Sequence, residues 1–191
     1  ARGYVKMIGE KTKCDIEGII AVDSEQDLVV LRISARRSQV LPFGNSDAVQ
    51  VGESVYAVGN PQGLEGTFSQ GIISGIRNVG EDKLLQITAP ISPGSSGGSV
   101  LNSRGEVIGV SVATFRSGQN LNFAIPSNYL KMLLANVGPV KPLTQVKQIN
   151  AQPSILADLG ERSTDGVIGA NFNWENPICK GCGGHYTFSL R

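Results

Sequence analysis

Residues 93–100 read PGSSGGSV, a run of small side chains set between the apolar stretches LLQITAPI and VLN. One reading is a plain turn, in which Gly and Ser supply positive φ and little bulk. The other is a serine nucleophile on a tight bend, with neighbouring N–H groups aimed at a developing oxyanion. Eight residues alone do not choose between them, because so short a run arises by chance and needs partners. A second cluster is Cys179-x-x-Cys182-x-x-His185 near the C-terminus. Two thiolates and an imidazole at that spacing offer up to three zinc ligands, whereas a closed structural site needs a fourth. No second Cys/His pair exists to supply it, and Cys14 is far away in sequence. An exposed hairpin or a local disulfide accounts for the same residues. Phe172 and Trp174 beside them suit the packing of a small accessory β-unit better than ligand binding.

The elements that must position these residues belong to an all-β chain. In 191 residues there are 24 Gly and 9 Pro, 40% hydrophobic and 17% charged residues. That balance is globular and turn-rich, not disordered. A net charge of +1, with no long Lys/Arg run, argues against nucleic acid as a partner. No segment reaches the roughly 20 apolar residues that span a bilayer as a helix. ARGYVKMIGEK has neither an apolar signal-type core nor an initiator Met, and reads as the interior of a longer protein. Three cysteines, an odd count, do not indicate a disulfide framework.

Short β-branched runs predict strands at 3–9, 14–22, 27–34, 54–59, 67–77, 84–89, 98–102, 106–115 and 120–125. Turn residues at 44–47, 59–63, 102–105 and 116–119 separate them, the spacing of a sandwich or barrel. One helix is predicted in PSNYLKMLLANVG, with Ser127 as N-cap, Leu130, Leu133, Leu134 and Val137 on one stripe, and Gly138 as its stop. Residues 139–152 read as a linker opened by two prolines, and 153–161 as a further short helix. YTFSLR at the end has the look of a strand just begun.

Several segments in one order carry a resemblance. EGIIAVDSEQDLVVLRI is similar to the aspartate strand of trypsin-like serine proteases of the HtrA/Deg (high-temperature-requirement) type. VGESVYAVGNPQGLEGTFSQGIISGIR, LLQITAPISPGSSGGSVLNSRGEVIGVSVATF and NLNFAIPSNYLKMLL resemble that family's second barrel. The resemblance covers about residues 3–136. It implies a chymotrypsin-like double β-barrel, with residues 1–45 as a partial first barrel and 46–138 as the second barrel and helix. Residues 153–191 remain as a partial accessory segment, too short for the family's PDZ module.

By position, the resemblance makes Ser96 the nucleophile and the amides of Gly94 and Ser96 the oxyanion donors. Such donors must sit about 3 Å from the nascent charge, which explains the small residues. Asp27 matches the acid that orients a histidine. GVSVAT (109–114), with Ser111 and Val112, resembles the strand that pairs with an extended peptide. Pro90, Ile91, Ser92, Asn122, Phe123 and Ala124 would line the primary specificity pocket. None is acidic, so a small or medium apolar side chain is expected before the cut bond. Ordinary barrel packing remains an equal reading for Phe123. The resemblance implies no metal or organic cofactor, extended or unfolded polypeptides as substrates, and an extracytoplasmic location; it allows a homo-oligomer.

The departure is histidine. The family's general base precedes the aspartate strand in a Thr-Asn-x-His-Val-like context, and the only histidine here is His185, in no such context. The expectation is therefore a serine peptidase chain lacking its base, either part of a longer product or a non-catalytic peptide-binding or assembly module on the same scaffold. The first barrel should lack its opening strands and present an unpaired apolar edge.

Overall fold

The computed structural model describes residues 3–6, 13–35, 40–59, 66–92, 94–114, 121–143, 171–175 and 183–190. The predicted helix at 153–161 lies outside them, as do Cys179 and Cys182.

Nine strands form close to where the β-branched runs put them: β1 (Gly3–Lys6), β2 (Lys13–Asp23), β3 (Leu28–Ile33), β4 (Ser54–Gly59), β5 (Thr67–Val79), β6 (Asp82–Ile87), β7 (Ser99–Asn102), β8 (Val107–Thr114) and β9 (Asn122–Pro126). Two more, β10 (Asn171–Glu175) and β11 (Gly183–Leu190), form an antiparallel hairpin in the tail. Strands β4-β5-β6-β9-β8-β7 close into a barrel, and β10-β11-β1-β2-β3 make a five-stranded sheet. The chain is thus a chymotrypsin-like arrangement of one complete barrel and one partial one. The barrel interior is aliphatic: Val55, Ile73, Leu85, Ile87, Val100 and Ile108 are all at most 1% exposed. Closure leaves the barrel no sheet edge, which is the most economical way to satisfy its backbone hydrogen bonds.

The partial barrel is held differently. Val5, Ile16, Ile19 and Leu143 form a small core, with Val29, Leu31 and Ile33 packed on it and half-buried. The bare edge expected of this sheet is not found at β1. There β11 pairs antiparallel, from Gly3 opposite Leu190 to Lys6 opposite Thr187. Residues just beyond the helix also bind this sheet. Ile19 and Lys141 exchange two backbone hydrogen bonds of 2.8 Å, and the Gly138 amide donates to the Ile20 carbonyl at 2.8 Å. Of the stretch read as a linker, the described part at 139–143 therefore runs along β2.

The helix α1 spans Ser127–Ala135. Its cap differs from the sequence reading. Ser127 is fully buried and its hydroxyl donates to the Gly44 carbonyl at 3.4 Å, leaving the first-turn amides without a local side-chain acceptor. The acceptor comes from 3₁₀ turn Ser46–Ala48, where Ser46 Oγ takes the Asn128 N–H at 3.0 Å. Leu130 and Leu133 face the core as the stripe predicts, with Tyr129 beside them. Leu134 and Val137 do not: Leu134 is helical yet 37% exposed, and Val137, 49% exposed, lies past Asn136, where the chain leaves helical geometry. Ser46→Ala is expected to cost about 1 kcal/mol, the usual cost of a lost helix cap. Calorimetry checks it, and an unchanged Tm contradicts the cap.

Candidate active site

The loop 94–98 lies between β6 and β7 and leads directly into β7, and it bends because glycine lets it. Gly94 and Gly97 have φ of 97° and 81°, a region that costs other residues a Cβ clash. Between them the chain is pinned from beneath. The Ser95 amide donates to the Ser92 carbonyl (2.8 Å), the Gly97 amide to the Ser111 carbonyl (2.7 Å), and the Gly98 amide to the Ser95 carbonyl (2.9 Å). Ser95 is buried and Ser96 exposed, so the two serines of the motif point opposite ways. The Ser96 hydroxyl donates to the Val112 carbonyl at 3.1 Å. The amides of Gly94 and Ser96 meet no acceptor among the described residues.

Three further contacts hold the segment before this loop, and the sequence reading missed all of them, placing Asn122 in the pocket lining instead. Ser69 Oγ on β5 donates to the Pro90 carbonyl at 2.6 Å. Thr88 Oγ1 accepts the Ile72 amide at 2.9 Å. Buried Asn122 donates from Nδ2 to the Ala89 carbonyl at 2.9 Å. Ser69 carries no local signal, because β5 holds several other polar residues and its partner lies 21 residues away.

Other expected site residues divide. Ile91 and Ser92 line a recess of about 110 Å³ behind the loop, with Ala57, Val58, Thr67, Ser69, Pro90 and Ser95. Asn122 and Phe123 offer no surface to a ligand. Asn122 is 2% exposed and spends its amide on Ala89, while Phe123, 4% exposed, packs with Leu84, Val110, Ile125 and Leu28. Ser111 is corrected likewise. It is 1% exposed, its amide donates to Gly98 and its carbonyl takes the Gly97 amide, so neither of its backbone groups is free to pair with a peptide. Val112 is the residue of that strand whose carbonyl faces Ser96.

Asp27 closes the turn before β3. Asp23 Oδ1 accepts the amides of Glu25 (3.1 Å) and Gln26 (3.0 Å), and this Asx turn delivers Asp27 at φ 52°, a left-handed conformation that aspartate tolerates better than most residues. No hydrogen bond joins Asp27 to Ser96. Their neighbours do meet: Leu28, next to Asp27, packs in one cluster with Val110 and Val112. Asp27 is exposed on one side, yet the protein around it desolvates the carboxylate and pushes its pKa above the ordinary value. No ion pair or donor among the described residues offsets that.

The sign follows from linkage. A carboxyl whose folded pKa is raised binds its proton more tightly folded than unfolded. Ionised Asp27 therefore costs stability above its folded pKa, and the cost is relieved as pH falls through that value toward the unfolded pKa near 4. Asp27→Asn is expected to raise Tm at pH 7, though only modestly because solvent screens the exposed side. The gain should vanish below about pH 4. Thermal melts across pH check this, and a Tm lowered at pH 7 contradicts it.

The trypsin-like peptidase domain profile matches residues 5–110, more than half of the chain. This chain belongs to the HtrA/Deg family of trypsin-like peptidase domains. It is 39% identical over 120 residues to the putative serine protease HhoB of Synechocystis sp., covering 58% of this chain and 29% of that protein. It is 36% identical over 190 residues to a probable periplasmic serine endoprotease, DegP-like, of Brucella suis biovar 1, covering 93% of this chain and 37% of that one. The HtrA/Deg chain described here thus spans about a third of the length of these curated relatives. Among solved structures it is similar to the HtrA-type protease AlgW with tripeptide (TM-score 0.56, 35% identity, 65% of this chain and 42% of that one). It is similar also to Deg5 (TM-score 0.56, 34% identity, 63% and 59%).

In the tail, His185 lies on β11 opposite Asn173. The described residues contain no cluster of three or more metal-binding side chains, and none of their helices is long and apolar enough to cross a membrane.

Proposed function

We propose that this chain carries the serine, oxyanion and aspartate parts of an endopeptidase site acting on extended polypeptides. The observation that carries the reading is the loop itself: an exposed Ser96 hydroxyl against the Val112 carbonyl, flanked by amides of Gly94 and Ser96 that have no described acceptor. In an acyl-transfer cycle Ser96 Oγ bonds to the scissile carbonyl carbon, and the carbonyl oxygen takes the charge between those two amides. The amine then leaves with a proton, and water releases the acyl group. The Val112 carbonyl would receive the backbone N–H of the bound peptide in place of the Ser96 hydroxyl. Ile91 and Ser92 form the wall against the side chain before the cut bond; with no charge in that wall, a small or medium apolar group suits it.

The proton of Ser96 is where the cycle stalls. A backbone carbonyl accepts a hydrogen bond but is not a base, and Asp27 makes no hydrogen bond to Ser96. The chain is thus expected to bind far better than it cleaves, and the same observation supports a second reading, a non-catalytic peptide-binding module. Relatives named as periplasmic support an extracytoplasmic setting.

Prolonged fluorophosphonate exposure followed by peptide mapping tests the assignment. The adduct is expected on Ser96 alone and absent from Ser96→Ala. An adduct on another serine, with none on Ser96, overturns it. Undiminished binding of an extended peptide with no adduct anywhere favours the non-catalytic reading.

A further inference from the structure

We infer that Ser111 is a positioning residue that aims the Ser96 amide; the inference rests on reading loop 94–96 as an oxyanion site. The Ser111 hydroxyl sits 2.6 Å from the Ser95 carbonyl oxygen and 3.1 Å from that of Gly98. With one hydrogen to give, it donates to the nearer, Ser95. The Ser95 carbonyl also receives the Gly98 amide at 2.9 Å, so two donors draw it into the barrel wall. That carbonyl and the Ser96 N–H belong to one peptide unit, which is planar and trans, with C=O and N–H pointing in opposite directions. Fixing the carbonyl inward therefore fixes the N–H outward, on the side where Ser96 is exposed.

Only the Gly98 amide, within the loop itself, holds the same plane. The Gly97 amide and the Ser111 amide anchor the next turn, and the Ser95 amide anchors the preceding peptide. Remove the hydroxyl and the Ser95–Ser96 plane keeps only the Gly98 amide, a donor within the same turn that moves with it. An oxyanion donor is effective when its direction is set before charge appears. Ser111, 1% exposed and never in contact with substrate, supplies that direction through Ser95.

The test uses the whole 191-residue chain, ¹⁵N-labelled. Residual dipolar coupling reads the direction of the Ser96 N–H, and ¹¹B resonance reads a tetrahedral adduct between Ser96 and a peptide boronic acid with an apolar terminal residue. In Ser111→Ala the Ser96 coupling is expected to change while those of β6 and β9 hold. Affinity for the boronic acid falls about tenfold, and affinity for the matching peptide amide, which forms no anion, changes less than about twofold. Ser111→Thr, which keeps the donor, restores both readouts. Ser111→Cys, a weaker donor of similar size, carries the same expectation as alanine if the alanine chain does not fold. An unchanged Ser96 coupling overturns the proposal, as does equal weakening of boronic acid and amide, the mark of a merely structural serine. A wild-type chain whose boron stays trigonal, as in Ser96→Ala, removes the protease reading and this proposal together.

Discussion

Phosphonylation of Ser96 is expected to proceed on the order of 10⁶ times more slowly than in a peptidase whose serine is paired with a histidine. The reason is local. The hydroxyl hydrogen lies on the Val112 carbonyl, so attack on phosphorus must release a proton to water. The sequence holds one histidine, His185, so the deficit has a simple check. Dissolved imidazole competes poorly with a tethered base, whose effective molarity is on the order of 10⁵ M or more. Added at about 1 M it should therefore raise the rate by about tenfold at most, on the same estimate. His185→Ala is expected to leave the slow rate unchanged. Fast labelling that disappears in His185→Ala would make the tail histidine the base and reverse this account.

Gly98→Ala is expected to be the most damaging small substitution in the site. A Cβ there would overlap the Val58 carbonyl oxygen and stand 2.8 Å from the Ser95 carbonyl oxygen and 3.2 Å from Ser111 Oγ. Two of these are backbone atoms, and Val58 and Ser111 are 2% and 1% exposed, so none can swing away cheaply. Overpacking without room to relax costs about 3 kcal/mol. At this chain length that lowers Tm by ~6–12 °C. The displaced Ser95 carbonyl would also turn the amide of Ser96, so surviving folded protein should label still more slowly. A Tm within about two degrees of wild type, well inside that estimate, would show that the loop is softer than its contacts imply.

Much of the fold was legible because short β-branched and apolar runs lie between turn-forming residues. Runs such as SVYAVG and LLQIT became β4 and β6 with little change. What such runs did not reveal is where a strand slips: β2 and β3 shift register twice, between Ile16 and Gly18 and between Ile19 and Ala21. The helix was visible in its leucines, but its cap was not, because Ser46 lies 82 residues from Asn128. The nucleophile loop stood out by composition. Its support did not, since Ser111 and Asn122 sit in strands where a small polar residue looks like substrate contact or surface until burial is known. Asp27 was placed by resemblance, and its left-handed backbone explains why an aspartate ends that turn. The tail pairing onto β1 had no local signal at all.

That pairing joins Tyr4 to Ser189, nearly the greatest sequence separation the chain permits. Closing so long a loop is slow, because its entropy must be spent before any contact rewards it. The barrel, built from neighbouring hairpins, can assemble while the C-terminal residues are still being synthesised. The five-stranded sheet is then the last part to form and the first to open, and an amide on β1 should exchange with solvent well before one on β6.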